Sequence, residues 1–426
     1  MENEYNNVLE KIDADELAEL ALALGKIQSP RGHETEAGDF VFNWMNENGF
    51  SPFKQKVIGN RFNVVGELRG KGAGQSLIFN SHMDTAFGLP EDKWILGELE
   101  PIYYTAFRDK NAIYGHGVVN DKGPMAAFLV AAKAIKNSGV RLKGDLLLTA
   151  VIGEIGSAQV DEFQDPSELG KGIGTRHLVT NGIIADNALV AEATGFSMTW
   201  VEAGVVFFKI TVKGVGGIYT PYLNRPFKLE ENPNAIVKMS KVILALDEWA
   251  LDYENRNKYE FTAGTVVPKV NIGAIRGGLP NRPTVTPAVC SVYVDVRLPP
   301  DKDSSAAKLE LHNLMKKIGI DAEIQTFLYR RGYEGRNVQA LIEAVRKAHR
   351  FIFNDEVGKV ASPVTSMWRD INIFNEVGIP AVTYGPTAGS GGRIFSVKIE
   401  DLYRASQVYA LTALNVCNQQ SSGSIV

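Results

Sequence analysis

Five side chains at strand ends or in a turn have the types and spacing to hold a metal ion. Ser81-His82-Met83-Asp84-Thr85 ends the run Ser76-Leu77-Ile78-Phe79-Asn80. A buried strand that stops on His-x-Asp delivers an imidazole and a carboxylate to one sheet edge, and in open α/β folds ligands bind at that edge. His82 can ligate a divalent metal through one ring nitrogen while Asp84 holds the other and fixes the tautomer. Taken alone, the tripeptide is a weak signal, since most such tripeptides are ordinary polar strand ends. Asp121 follows in Gly115-His116-Gly117-Val118-Val119-Asn120-Asp121-Lys122-Gly123-Pro124, a turn entering a helical run. A helix N-cap is the plain alternative there. Two further apolar strands, 144–152 and 183–191, end on Gly153-Glu154-Ile155-Gly156 and Glu192-Ala193-Thr194-Gly195. Four acids and one histidine converging on one edge favour a metal cluster over separate capping roles.

The elements that must position these residues follow from periodicity. A helical pattern over 6–26 leads into the turn Ser29 to Glu34, and a second helix runs through Phe40, Val41 and Trp44. Strands read at 51–57, 62–68 and 76–81. Residues 87–112 form an irregular, aromatic-rich loop (Trp94, Tyr103, Tyr104, Phe107, Arg108), either a plug over the sheet edge or a substrate contact. Beyond Ala203, strands at 204–213, 269–277, 287–297 and 320–328 alternate with helices at 233–248 and 303–317. This β/α/β/β/α/β order resembles a ferredoxin-like sandwich. The chain returns with a helix at 337–352, a strand at 379–384, a Gly-rich loop at 385–393 and a last helix at 399–417. The expected fold is α/β: a three-layer α/β/α catalytic domain built from 1–202 and 329–426, with the ferredoxin-like domain inserted at 203–328.

Composition narrows the function. At 426 residues the chain is too long for one ordinary core. A hydrophobic content of 45% with 22% charged residues is that of a globular protein. The net charge of -4, with no Lys/Arg stripe, gives no sign of a nucleic-acid partner. No stretch approaches the ~20 apolar residues of a membrane span, and the acidic N-terminus does not read as a signal peptide. Cys290 and Cys417, far apart in apolar settings, argue against a disulfide framework or a thiolate zinc site. A cytoplasmic location is the simpler expectation.

Jointly, the motifs resemble the two-domain metallopeptidase and amidohydrolase family that includes carboxypeptidase G, aminoacylase, succinyl-diaminopimelate desuccinylase and peptidase T. The resemblance rests on His82-x-Asp84, Gly117 to Asp121-Lys122-Gly123, Glu154-x-Gly156 and Glu192. Asn281-Arg282-Pro283 before Val294-Asp295-Val296-Arg297, Asp370 before Gly378-Ile379-Pro380, and Tyr384-Gly385-Pro386 extend it over nearly the whole chain. It implies two zinc ions bridged by an aspartate: His82, Asp121 and Glu192 on one, Asp121, Glu154 and a C-terminal histidine on the other, with Asp84 orienting His82. Three residues depart from that pattern. Gly153 stands where the family has its general base, Ile218 where a histidine contacts the carbonyl oxygen, and Gly392 and Arg393 where the second metal's histidine falls.

One site is therefore expected to bind one divalent transition metal, Mn or Zn, and the second to be absent or weak. Glu154 then becomes the general base. Loss of the oxyanion histidine removes a donor that acyl transfer uses at a cost of ~3–4 kcal/mol. The resemblance accordingly points to the family's aromatic branch, hydrolytic deamination of 5-nitroanthranilate to 5-nitrosalicylate and ammonia. Arg393, Arg369 or an aromatic such as Tyr104 would hold the nitro or carboxylate group, surface salt bridges being the plain alternative for both arginines. A second reading is an amidohydrolase, dipeptidase or aminoacylase acting on a small N-acyl or peptide substrate, with Tyr219 or Asn281 replacing the lost donor. A third is a non-catalytic ligand-binding relative. The partners expected are a small-molecule substrate and further copies of the chain, paired through the inserted domain.

Overall fold

The structure is a computed structural model that describes residues 2–156, 158–389 and 395–420. The chain divides into two units, residues 1–200 with 335–360 and 369–426, and residues 201–334 with 361–368.

The first unit is built on a seven-stranded mixed sheet. Its strands are β1 (Phe53–Ile58), β2 (Arg61–Leu68), β3 (Leu77–His82), β4 (Leu146–Val151), β5 (Asn187–Ala191), β6 (Met198–Thr199) and β11 (Ala381–Tyr384), in the order β1-β2-β4-β3-β5-β11-β6. The central strands β4, β3, β5 and β11 run parallel, and the flanking pairs are antiparallel. Parallel strands are covered by helices on both faces, so they read as continuous apolar runs. All six residues of β3 and all five of β5 are buried. Helices Ala14–Lys26 (α1), Gly123–Asn137 (α3) and Ile399–Cys417 (α7) pack together on one face, with Gln339–Phe353 (α6) against α7. Thr35–Glu47 (α2) and the short helices Ile173–Thr180 and Ile371–Glu376 lie against strands of the sheet as well. This is the three-layer arrangement expected.

A hydrogen-bonded relay runs through that core beneath the strand ends. Thr149 Oγ1 donates to Asn80 Oδ1 at 2.8 Å, Asn80 Nδ2 to Asp370 Oδ2 at 3.1 Å, and Thr175 Oγ1 to the same oxygen at 2.6 Å. Buried polar groups are tolerable only when paired in this way.

The second unit carries a four-stranded antiparallel sheet of β7 (Gly204–Lys213), β8 (Val270–Gly277), β9 (Val289–Leu298) and β10 (Ala322–Arg330), in the order β8-β9-β7-β10. Helices α4 (Ala235–Arg256) and α5 (Ser304–Ile318) cover one face, and Val206, Phe208, Ile210, Met239, Leu246, Val292, Val294 and Leu311 form the core. Both helices start on side-chain caps: Asn234 accepts from Ile236 N and Asp303 from Ser305 N. The chain order is the β/α/β/β/α/β read from sequence.

Two local expectations are corrected. The helix expected over 6–26 is broken into Glu2–Leu9 and α1, because Asp13 caps a new N-terminus by accepting from Asp15 N and Glu16 N. The segment 87–112 is not wholly irregular. It contains short helical turns at Pro90–Asp92, Lys93–Leu96 and Pro101–Tyr103, then a ribbon of Phe107–Asp109 and Ala112–Tyr114 that Ser396–Lys398 completes.

Candidate metal and hydrolytic site

β3, β4 and β5 end side by side, so His82, Glu154 and Glu192 reach one edge of the sheet from three adjacent strands. Asp121 comes from the turn before α3, where Asn120 and Asp121 leave helical geometry and are joined by a cis peptide. Asp121 does not cap the helix, which excludes the plain alternative at that position. His82, Asp121 and Glu192 are all buried, with one ligand atom of each within 4.8 Å of the others.

The hydrogen bonds set the chemistry of His82. Its Nδ1 lies 2.9 Å from the main-chain carbonyl of Asp84 and 3.4 Å from Asp84 Oδ1. A carbonyl oxygen can only accept, so Nδ1 carries the proton and Nε2 is the atom turned to the cluster. Nε2 stands 3.1 Å from Asn120 Oδ1 and 3.9 Å from both Asp121 Oδ2 and Glu154 Oε2. The Asp84 carboxylate spends its oxygens on the main chain after β4, accepting from Glu154 N at 3.1 Å and Ile155 N at 2.8 Å. Asp84 thus fixes His82 mainly through its carbonyl, and ties the His82 and Glu154 strand ends together through its side chain.

Charge is concentrated here. Burial first, then Glu192, pushes the Asp121 carboxyl well above its ordinary range, with His82 and Arg369 partly offsetting. Burial likewise raises Glu154 to about 7 against the pull of Lys171 and His82. Burial opposes charging of His82, yet Asp84, Asp121 and Glu154 together hold its pKa well above the usual imidazole value. Asp121 Oδ1 and Glu154 Oε1 are buried without a hydrogen-bond partner. Orphaned oxygens beside an imidazole whose outer nitrogen is already fixed fit a divalent cation.

The remaining expected residues divide by unit. Arg369 is not in a surface salt bridge. It is only 4% exposed, and its Nε pairs with Glu192 Oε2. Tyr104 is half-buried in the turn after Pro101–Tyr103. Tyr219 and Asn281 are exposed on the second unit, which also holds Ile218. Arg393 and Gly392 lie outside the described residues.

Gly153 has a physical reason to be glycine. Its φ is +62°, and a Cβ there would stand 2.8 Å from Ile173 Cγ1, 2.9 Å from Arg61 Nη2 and 3.0 Å from the Leu169 carbonyl. Arg61 is fully buried. It makes a two-bond pair with Glu34, at 2.7 and 2.5 Å, and donates from Nη1 to the carbonyls of Ser167 and Leu169. A guanidinium therefore lies beside the backbone where a further acid was expected.

Sequence reasoning missed several groups around the cluster. Asn120 touches His82, Ser81 Oγ donates to the Asp121 carbonyl at 3.2 Å, and Lys122 and Lys171 are buried nearby. His116, outside the expected ligand set, sits buried between the rings of Phe87 and Phe395, with Nδ1 unpartnered. Its flanking glycines were the visible signal.

Known proteins agree with this architecture. A family model described as Peptidase family M20/M25/M40 matches residues 78–415. N-formyl-4-amino-5-aminomethyl-2-methylpyrimidine deformylase of Bacillus subtilis (strain 168) is 27% identical over 336 residues, 76% of this chain and 73% of that protein. Carboxypeptidase G2 of Pseudomonas sp. (strain RS-16) is 24% identical over 304 residues, 69% of this chain and 62% of that one. In fold, a di-peptidase of Saccharomyces cerevisiae gives a TM-score of 0.72 at 13% identity, covering 98% of this chain and 99% of its own. The chain belongs to peptidase family M20/M25/M40 and is a metal-dependent hydrolase of that family.

Proposed function

We propose that this hydrolase cleaves a C–N bond in a small amide-type substrate, an N-formyl, N-acyl or short peptide compound, with one divalent ion per chain. The observation that carries the reading is Glu154: buried beside His82, Asp121 and Glu192, with Oε1 unpartnered. His82 Nε2, Asp121 and Glu192 would hold the ion. When bound, it acts as a Lewis acid that makes water a competent nucleophile near neutral pH. Glu154 accepts the proton of the attacking water at Oε1 and returns it to the leaving nitrogen. Asp84 keeps that carboxylate in place through the Glu154 and Ile155 amides. The deformylase and carboxypeptidase relatives support the amide class. One imidazole with carboxylates suits Zn or Mn.

A second reading is favoured by one position. Ile218 stands where the family resemblance implies a histidine that contacts the carbonyl oxygen, and its side chain has no donor. Hydrolytic deamination of a nitro-substituted ring amine such as 5-nitroanthranilate develops its charge in the ring and does not need that donor, while Glu154 would pass the water's proton to the departing ammonia.

One experiment separates the two. Chelator-stripped protein is reloaded with Zn²⁺ or Mn²⁺ and offered N-formyl and N-acyl amines, dipeptides and 5-nitroanthranilate. Metal-dependent release of a carboxylic acid or amino acid supports the amide reading, and ammonia from the nitro-amine alone replaces it with the second. No turnover on any substrate would sink both. Self-association through the inserted unit belongs to the same proposal, and a solution mass of 46.6 kDa would remove it.

A further inference from the structure

The cluster contains a permanent cation that the proposed chemistry does not use. Arg369 precedes the helix Ile371–Glu376, and its guanidinium pairs with the metal-facing Glu192, with both side chains 5–6% exposed. Arginine stays protonated under all ordinary conditions, so this charge cannot be titrated away to make room for another. The same guanidinium also acts on Asp121. It thus bears on two of the three carboxylates that would share a pair of ions.

We propose that Arg369 takes the electrostatic place of a second metal ion and limits the cluster to one divalent cation. The proposal rests on the reading that His82, Asp121 and Glu192 bind a metal. Three observations carry it. Among the described residues, one group of three ligating side chains comes together, and no second imidazole joins it. A second divalent ion would stand against the buried Arg369 guanidinium that pairs with Glu192, and like charges repel strongly where water is excluded. Finally, pairing Glu192 Oε2 with the guanidinium leaves a single oxygen of that carboxylate for a metal. Arg369 is thereby a positioning residue for Glu192 as well as a counter-charge.

The test counts ions and needs no turnover. Wild type, Arg369→Met and Arg369→Lys are incubated with excess Zn²⁺, desalted and analysed for zinc per chain by mass spectrometry, with circular dichroism as the check on folding. The expected values are one ion for wild type and Arg369→Lys, and a rise towards two for Arg369→Met. Two ions in wild type, or one in a folded Arg369→Met variant, would overturn the inference. If Arg369→Met fails to fold, wild type saturated with Mn²⁺ decides by electron paramagnetic resonance. An uncoupled six-line spectrum supports the proposal, and the broadened spectrum of an exchange-coupled pair refutes it. Wild type that binds no ion refutes the metal reading itself, whereas two bound ions refute only the role given to Arg369.

Discussion

Gly153 offers the sharpest test of the site's architecture, because the structure says why a side chain cannot return there. At φ +62°, any residue with a Cβ adopts a left-handed conformation costing ~1–2 kcal/mol. The new methyl would also stand 2.8–3.0 Å from Ile173, Arg61 and Leu169. Two of these neighbours are poor at yielding: the Leu169 carbonyl is backbone, and Arg61 is held by Glu34 and two carbonyls. Overpacking of that kind costs about 1–3 kcal/mol, so Gly153→Ala should lose roughly 2–5 kcal/mol in all. At ~2 °C per kcal/mol for a domain of this size, the melting temperature should fall by roughly 4–10 °C, read by differential scanning fluorimetry and confirmed by urea titration. Gly153→Glu restores the acid in composition only. It meets the same contacts, and its carboxylate competes with Glu34 for Arg61, so it should melt at least as low and gain no turnover. A Gly153→Glu protein with wild-type melting and faster hydrolysis would refute the reasoning, since an acid would then fit where Arg61 is placed.

Other outcomes follow from the same packing. Glu154→Gln should lower turnover by ~10²–10⁴, the usual worth of a general base, while the metal content per chain stays as in wild type; retained activity would remove Glu154 from the mechanism. Arg61→Met strands Glu34 in the interior and should cost about 3–5 kcal/mol, whereas Arg61→Met with Glu34→Leu should recover much of that loss; equal melting temperatures for the two variants would deny that the pair is buried as described. His116 gives a pH signature. Burial, then the charges of His82 and Lys122, lower its pKa to about 4 in the folded chain, against ~6.5 unfolded. Only the unfolded state takes up this proton as pH falls from 6.5 to 4, so stability declines across that window by about 3 kcal/mol from this group. His116→Phe, which suits the ring cage, should remove that increment. Urea titrations at pH 4.5 and 7.5 that change equally in both proteins would show that His116 is not buried neutral.

What could be read from the sequence is what lies on strands. His82, Glu154 and Glu192 terminate apolar runs, and in a parallel sheet such runs are buried on both faces and end at a common edge, so their terminal side chains meet almost by geometry. The inserted unit was equally legible, because its alternating strands and capped helices are local signals. The illegible part is what reaches the site from elsewhere. Arg369 pairs with Glu192 across 177 positions of chain and Asp370 is held by Asn80 and Thr175, contacts that depend on how the returning segment 369–426 docks on β5. A buried arginine with a carboxylate partner has the same one-letter signature as a solvated one, which is why a surface salt bridge was the plain reading of Arg369. Gly153 shows the same limit from the other side. That an acid is missing was visible in Gly153-Glu154, but the reason lies in Arg61, nearly a hundred residues earlier and locked to Glu34. The departure from the family pattern is therefore a repacked corner of the core rather than a single lost side chain. A substitution at one end of that corner cannot undo it.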